Sequence, residues 1–270
     1  MGSLGGLVMV RVIVRFALIA MFVCGSRGLA SAQADEIQVY DGGLAAVGVF
    51  NLTIHNNFTP KGIETPAFPG AVVADGSWNG VPEWAYGVTR WFEAGLYLPL
   101  YSRDQDMGWG IDGFKLRTLF AVPNSDSRRF VYGANMEFSF NAERWDTTRF
   151  TSEIRPIIGW HFKSADLIVN PIVDTAYDGI KNLEFVPATR MAFTVQPKWQ
   201  IAVEHYADFG RVSSFLPWGE QSHQIFGVVD TTAGRVDVEF GLGFGLTDAS
   251  DNVTLKLILS GDFNKGRVSK

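Results

Sequence analysis

Apolar and polar residues alternate through most of this 270-residue chain, and this alternation constrains its fold more than any other feature. In the segment 130–141 every second residue is apolar, and most residues between them are polar or small. The segments 114–122 and 236–246 repeat the pattern. A period of two is typical of β-strands with one apolar and one polar face. No stretch after residue 30 has the roughly 20 apolar residues that a membrane helix needs.

The alternation predicts about twelve strands. Their predicted ranges are 48–58, 81–89, 92–101, 112–123, 130–141, 150–162, 166–175, 182–195, 199–208, 221–231, 235–247 and 253–263. Most of them have the length of about 9–11 residues that a tilted strand needs to cross a bilayer. The count is even, as in bacterial single-chain barrels.

The predicted connections alternate in length, starting with a long one. The long connections are 59–80, 102–111, 142–149, 176–181, 209–220 and 248–252, and the short ones are 90–91, 124–129, 163–165, 196–198 and 232–234. Outer-membrane barrels have short periplasmic turns and longer external loops. The pattern therefore predicts an all-β, up-and-down transmembrane β-barrel with both termini on the periplasmic side.

The alternation alone does not decide which face of the strands is outside. A secreted soluble β-protein, the open alternative, would bury its apolar faces. Three features favour a membrane barrel instead: glycines on the polar face, as in 241–245, aromatic residues near strand ends, and a last strand that finishes on Phe263. Interfacial aromatic girdles are typical of outer-membrane barrels. We therefore expect outer-membrane lipid and the outer-membrane assembly machinery as partners.

The N-terminus has the order of a signal peptide. Arg11 and Arg15 precede a short apolar core, and small residues follow it up to candidate cleavage positions after Ala32 or Ala34. The only cysteine, Cys24, lies in this leader, so the mature chain has none.

The predicted organisation is one domain with short flanking segments. It comprises a signal peptide at 1–34, a periplasmic N-terminal segment at 35–47, the barrel at 48–263 and a C-terminal tail at 264–270. A place inside the barrel mouth is the alternative for 35–47.

The charge of the chain excludes nucleic acid as a partner. The predicted leader carries three arginines and no carboxylate, so the mature chain has 20 basic and 28 acidic side chains, a net charge of −8. A nucleic-acid-binding domain would show a basic excess.

Charged residues of both signs alternate with the apolar ones and are the candidate lumen-lining set. They are Lys115, Arg117, Glu137, Glu153, Arg155, Glu184, Arg190, Glu204, Asp237 and Glu239. In a bore of about twelve strands, opposite charges on neighbouring strands should pair. Two compatible interpretations stay open, a structural salt-bridge network that fills the lumen and a selectivity constriction.

No catalytic or metal-binding motif stands out. The four histidines lack metal-type spacing, so neither a metal nor another cofactor is expected. The segments 55–57 and 222–223 are the nearest fragments to the Ser, His and Asn set of outer-membrane phospholipases. Neither has the spacing of a nucleophile with its base, so we do not expect an enzyme.

Five stretches resemble a family of Gram-negative outer-membrane barrels known as MetA-pathway phenol-degradation or transporter-like proteins. They are Asn51–Pro60, Gly80–Thr89, Phe92–Leu100, Glu153–His161 and Ser222–Asp230. The resemblance covers essentially the whole mature chain. It implies a barrel that handles small, often aromatic or apolar, compounds at the outer membrane, and no functional residues are carried over from it.

These observations together predict an outer-membrane channel or uptake protein for a small-molecule solute. The solute would pass through, or bind in, a narrow charge-lined lumen. One alternative is a structural or surface-interaction barrel without transport, and another is an outer-membrane lipid-active enzyme.

The leader yields the first testable prediction. We expect cleavage after Ala32 or Ala34, because small residues there follow the basic and apolar regions. Mass spectrometry of the protein from an outer-membrane fraction would measure this. An intact N-terminus would contradict secretion.

Overall fold

The computed structural model describes residues 36–264. The predicted signal peptide and the C-terminal tail beyond Asn264 lie outside this part of the chain. The described residues form fourteen strand segments. They are β1 (Phe50–Lys61), β2 (Ser77–Thr89), β3 (Phe92–Asp104), β4 (Gly108–Ala121), β5 (Phe130–Asn141), β6 (Phe150–His161), β7 (Ala165–Asn170), β8 (Val173–Thr175), β9 (Glu184–Phe185), β10 (Ala188–Gln196), β11 (Trp199–Asp208), β12 (Ser222–Ala233), β13 (Val236–Gly245) and β14 (Val253–Asp262).

Two pairs of segments each make one barrel strand. β7 and β8 pair with successive parts of β6, while β10 pairs with β7 and β9 with β8. The breaks fall at Pro171 and Pro187, because proline has no N–H to donate to the ladder. A hydrogen bond from Val186 N to Ile172 O (3.1 Å) bridges them. The described chain therefore has twelve barrel strands, which confirms the prediction.

The sheet closes on itself. Neighbouring strands pair antiparallel in sequence order around the ring, β1 pairs with β14, and β5 pairs with β6. Closure matters in lipid because no water is available there to satisfy the unpaired backbone groups of a free strand edge. The predicted up-and-down topology is confirmed.

The outer face of the barrel is apolar and its inner face is charged. On β5, Phe138 is 43% exposed and its neighbour Glu137 is 1% exposed. On β4, Leu116 is 46% exposed and Arg117 is 2% exposed. Charged side chains in a soluble protein meet water instead. The arrangement is that of a barrel in lipid, and it contradicts the soluble alternative.

Aromatic pairs mark both ends of this apolar face. Phe92 and Phe120 stack at 4.8 Å near one end, and Phe114 and Phe140 stack at 4.4 Å near the other. The first end carries the connections 90–91, 122–129, 162–164, 197–198 and 234–235, and we call it the short-turn end. The opposite end, the loop end, carries 62–76, 105–107, 142–149, 176–183, 209–221 and 246–252.

One hairpin extends further than the alternation predicted. β3 and β4 are joined by 105–107 alone, where the sequence predicted a connection at 102–111. Arg103 pairs with Trp109, and Ser102 with Gly110. These residues do not alternate in polarity, because backbone pairing can continue beyond the aromatic belt, where the outer face no longer has to be apolar.

The inside-outside assignment can be tested at Met136, which faces outward between Thr118 and Ile154 on the neighbouring strands. An arginine near the midplane of a lipid-facing strand costs about 2–4 kcal/mol. Met136→Arg should lower the free energy of unfolding in lipid vesicles by that amount, measured by denaturant titration. Met136→Leu, which keeps an apolar side chain of similar size, is the control and should change it by less than about 1.5 kcal/mol. Cooperative folding of the wild-type protein in plain buffer would contradict the assignment.

Candidate functional site: the charged lumen

Residues 36–49, which we call the inner segment, reach from the lumen to the short-turn end of the barrel. The segment ends beside β1 at the short-turn end, where Gly48 N donates to Gly87 O (2.8 Å) and Val47 forms a β-bridge with Gly87. Gly87 allows this approach, since a β-carbon there would collide with the carbonyl oxygens of Ala45 and Ala46. Residues 36–40 and Gly42 are largely buried against the barrel wall, whereas 43–47 are half-buried or exposed at the short-turn end.

Side chains of the barrel wall bind the backbone of the inner segment. Asn170 accepts from Tyr40 N (2.8 Å) and donates to Tyr40 O (2.9 Å). Arg155 Nη1 donates to Gln38 O (2.9 Å), and Lys256 Nζ donates to Ile37 O (3.1 Å). Buried backbone groups need partners, and here side chains supply them in place of a strand ladder.

Apolar side chains of the inner segment also pack against the wall. Ile37 and Val39 are buried in one cluster with Leu119, Val131 and Ile157. This cluster also includes wall residues on β7 and on β10 to β12. The lumen is therefore filled by apolar contacts as well as by charge.

The first group of charges surrounds Arg117. Its guanidinium contacts Glu83 at 2.7 Å and also pairs with Glu93. His55 Nε2 lies 3.2 Å from the other carboxylate oxygen of Glu83, Oε2. The ring of Tyr40, from the inner segment, lies 5.5 Å from the Arg117 guanidinium carbon. The inner segment thus completes the surroundings of this cation.

A second group lies around Arg155. Its Nε contacts Glu153 at 2.6 Å, and its Nη1 lies 3.7 Å from Glu36 of the inner segment. The Tyr40 ring lies 4.8 Å from the Arg155 guanidinium carbon. Lys115 and Glu137 form a neighbouring pair at 3.3 Å. Tyr40 therefore stands between two guanidinium groups, in a cation–π arrangement.

A third group joins Arg190 and Lys256 through shared carboxylates. Lys256 Nζ lies 2.5 Å from Glu204 and 2.5 Å from Glu239. Arg190 pairs with the same two carboxylates and with Asp230. Each arginine and lysine of the three groups thus has at least one carboxylate partner, as burial in a low-dielectric interior requires.

Eight of the ten predicted lumen charges lie in these three groups. They are Lys115, Arg117, Glu137, Glu153, Arg155, Arg190, Glu204 and Glu239. Glu184 lies apart from them at the loop end, where its backbone forms an isolated antiparallel β-bridge with that of Arg211. Asp237 is exposed at the short-turn end and accepts a hydrogen bond from Thr232. Both positions lie on the inward-facing side of the alternation. Each, however, stands near the end of its strand, beyond the three packed charge groups.

Several members of the network were not predicted from the sequence. They are Glu36, His55, Glu83, Glu93, Asp230 and Lys256. A signal was present for Lys256, which stands between two leucines of an alternating strand. The position of Glu36 carried no such signal, because it precedes the first strand and no periodicity applies there.

The lumen is occluded at the level of the charge groups. Lys115, Arg155 and Lys256 are each at most 2% exposed. Water in an open bore would reach long side chains that point into it. Among the described residues, the groups contain eight carboxylates against five lysine and arginine side chains. The lining is therefore mixed in sign, with an acidic excess.

The two fragments nearest to the Ser, His and Asn set of outer-membrane phospholipases lie on separate strands, β1 and β12. His55 lies in the lumen against Glu83. His223 hydrogen-bonds to His205 (3.1 Å) and Gln221 (2.9 Å), while Ser222 Oγ contacts a serine. Within residues 36–264, no three His, Cys, Asp or Glu side chains are grouped to hold a metal ion. The same residues contain no helix long and apolar enough to cross a membrane.

The third charge group gives a stability prediction. Lys256→Met should lower the free energy of unfolding by about 3 kcal/mol, because it leaves Glu204 and Glu239 with Arg190 as their remaining cation. Adding Glu239→Gln should recover part of the loss, with a coupling of about 1–2 kcal/mol in the double-mutant cycle. Lys198→Met, the same change in an exposed turn, should stay within about 0.5 kcal/mol. Additive effects in vesicle-based denaturant titrations would contradict the pairing.

Comparisons with known proteins show the fold. No family model and no curated protein sequence matches this chain. An outer membrane channel from Pseudomonas putida F1 is similar in structure, with a TM-score of 0.56 and 12% identity over 84% of this chain and 100% of that one. The NanC porin is similar with a TM-score of 0.51 and 7% identity over 79% of this chain and 100% of that one. With its closed sheet and apolar outer face, this chain is an outer-membrane β-barrel.

Proposed function

We propose that this protein is a passive outer-membrane channel for small molecules and that its inner segment closes the lumen at rest. The observation that carries the proposal is how that segment is held. Side chains and apolar contacts bind residues 36–46, whereas every barrel strand is held by ladders on both sides. A part that is not built into the sheet can leave without opening the sheet.

The charge groups support a segment that can be displaced. When the inner segment leaves, Arg117 keeps Glu83, Lys115 keeps Glu137, and the Arg190 group keeps all its carboxylates. The buried carboxylate of Glu36 accepts no hydrogen bond from the described residues. Such an unsatisfied group costs free energy while it is buried and would regain water on release.

The lining that remains would favour ions and polar solutes. Carboxylates exceed cations on the wall, and rings of carboxylates favour cations in channels. The expectation of aromatic or apolar solutes came from the family resemblance alone. The charged lining supports small polar solutes, with cations preferred over anions.

A barrel without transport is the second candidate, and one observation favours it. Ion pairs and apolar side chains fill the lumen, as in a barrel whose interior serves as a core. The two functions differ in one measurable property, because a structural barrel conducts no ions in any state of the inner segment.

A reversible lock on the inner segment tests the proposal. A β-carbon on Gly42 would lie 3.6 Å from Ala121 Cβ on the wall, within the range of about 3.5–4.5 Å for a disulfide. The mature chain is expected to contain no other cysteine. Gly42→Cys with Ala121→Cys should conduct in planar bilayers when reduced and fall to the level of a protein-free bilayer when oxidised.

The matched control is Gly42→Ser with Ala121→Ser. It carries the same strain at Gly42, where φ is +86°, but it cannot form the bond. Its conductance should not respond to oxidant. Equal conductance of the oxidised and reduced cysteine protein would show that passage does not need the segment to move. No conductance from any form, wild type included, would favour the structural barrel.

A further inference from the structure

The two ends of the barrel differ in charge. The connections at the short-turn end carry six cations, Arg90, Arg128, Arg129, Lys163, Lys198 and Arg235, and one carboxylate, Asp126. The connections at the loop end carry nine carboxylates and four cations. The short-turn end therefore presents a basic rim to whatever surface it meets.

Half of these cations are gathered in one place. An open cleft of about 460 Å³ lies between the turns 122–129 and 162–164, and Arg128, Arg129 and Lys163 line it. His161 N donates to Arg129 O (2.9 Å), which joins the two turns. Arg128 Nε donates to Pro123 O (2.8 Å), which holds its guanidinium, and within residues 36–264 its terminal nitrogens make no other hydrogen bond. The cleft is therefore built by contacts between neighbouring turns.

The three cations of the cleft lack the partners that the lumen cations have. Within residues 36–264, neither Arg128, Arg129 nor Lys163 has a carboxylate within 4.0 Å, whereas each arginine and lysine of the charge groups does. Asp126 also lines the cleft and offsets part of the charge. The other nearby acid, Asp166, is held by His161 Nδ1 at 2.6 Å. The cleft keeps a net positive charge.

The cleft adjoins the lipid-facing wall. Phe162 lines it and is 54% exposed. Phe130 and Trp160, on the strands that enter the two turns, pack at 5.6 Å and are exposed on the outer face. A headgroup in the cleft would thus have its acyl chains beside aromatic side chains at the membrane interface. Such an edge between charge and apolar surface fits an amphipathic ligand.

We propose that this cleft binds the phosphate of an anionic phospholipid in the leaflet that the short turns face. Two guanidinium groups and an ammonium suit a phosphodiester, because arginine donates to phosphate oxygens in pairs and lysine adds a point charge. The adjacent aromatic wall distinguishes a lipid from free phosphate, which gains nothing from Phe130 or Phe162. The proposal is independent of conduction and holds for a channel and for a structural barrel.

Native mass spectrometry of the folded protein tests the site. The wild type should retain phosphatidylglycerol in preference to phosphatidylcholine with the same acyl chains. The triple variant Arg128→Gln, Arg129→Gln and Lys163→Gln should lose affinity for phosphatidylglycerol by about ten-fold, since each basic side chain at a membrane surface contributes to anionic lipid binding. Inorganic phosphate at the same concentration as the lipid should not displace it.

The matched control is Arg90→Gln, Lys198→Gln and Arg235→Gln, which removes the same charge from the same end outside the cleft. Its affinity should change by less than about two-fold if binding is local. Equal losses in both variants would assign the effect to the whole rim and overturn the site. No preference for phosphatidylglycerol, or displacement by inorganic phosphate, would overturn it too. Gel migration with and without boiling checks folding, and Arg129→Gln alone replaces the triple variant if that fails to fold.

Discussion

A strand in lipid has no water to satisfy its backbone, and the rest of this structure depends on that constraint. The sheet must close, so β1 meets β14 and β5 meets β6. Closure then separates the two strand faces. The outer face contacts acyl chains and is apolar, whereas the charged residues of the alternating strands point inward. The two proline breaks, at Pro171 and Pro187, lie on neighbouring strands, where Val186 and Ile172 restore a hydrogen bond between them.

A barrel of twelve strands is wide enough to need filling, and charge fills much of it. Carboxylates and cations from neighbouring strands lie within contact distance, so the desolvation cost of each is offset by its partner. In the third group each carboxylate has two cation partners, because Glu204 and Glu239 each bind both Arg190 and Lys256. The inner segment adds Tyr40 between two guanidinium groups and completes the packing.

The charged residues are distributed unevenly along the barrel axis. Inside, cations are paired and withdrawn from solvent, while at the short-turn end the cations of the cleft face outward beside lipid-exposed aromatic side chains. At the loop end, carboxylates dominate. One barrel therefore presents a closed polar interior and two rims of opposite charge.

The sequence by itself determined the strands and the faces, because a period of two is a local property that each segment shows alone. The segment 130–141 was predicted with its observed ends, and eight inward charges were identified from alternation. The sequence did not determine where the strands end beyond the membrane. Arg103 pairs with Trp109 outside the predicted strand ranges, since backbone pairing above the membrane needs no apolar face. Only the tertiary structure decided which charges meet, because Lys256 and Glu204 form an ion pair although their strands, β14 and β11, are not neighbours in the sheet. It also decided the place of residues 36–40, which have no period of their own and are held in the lumen by wall side chains that bind their backbone.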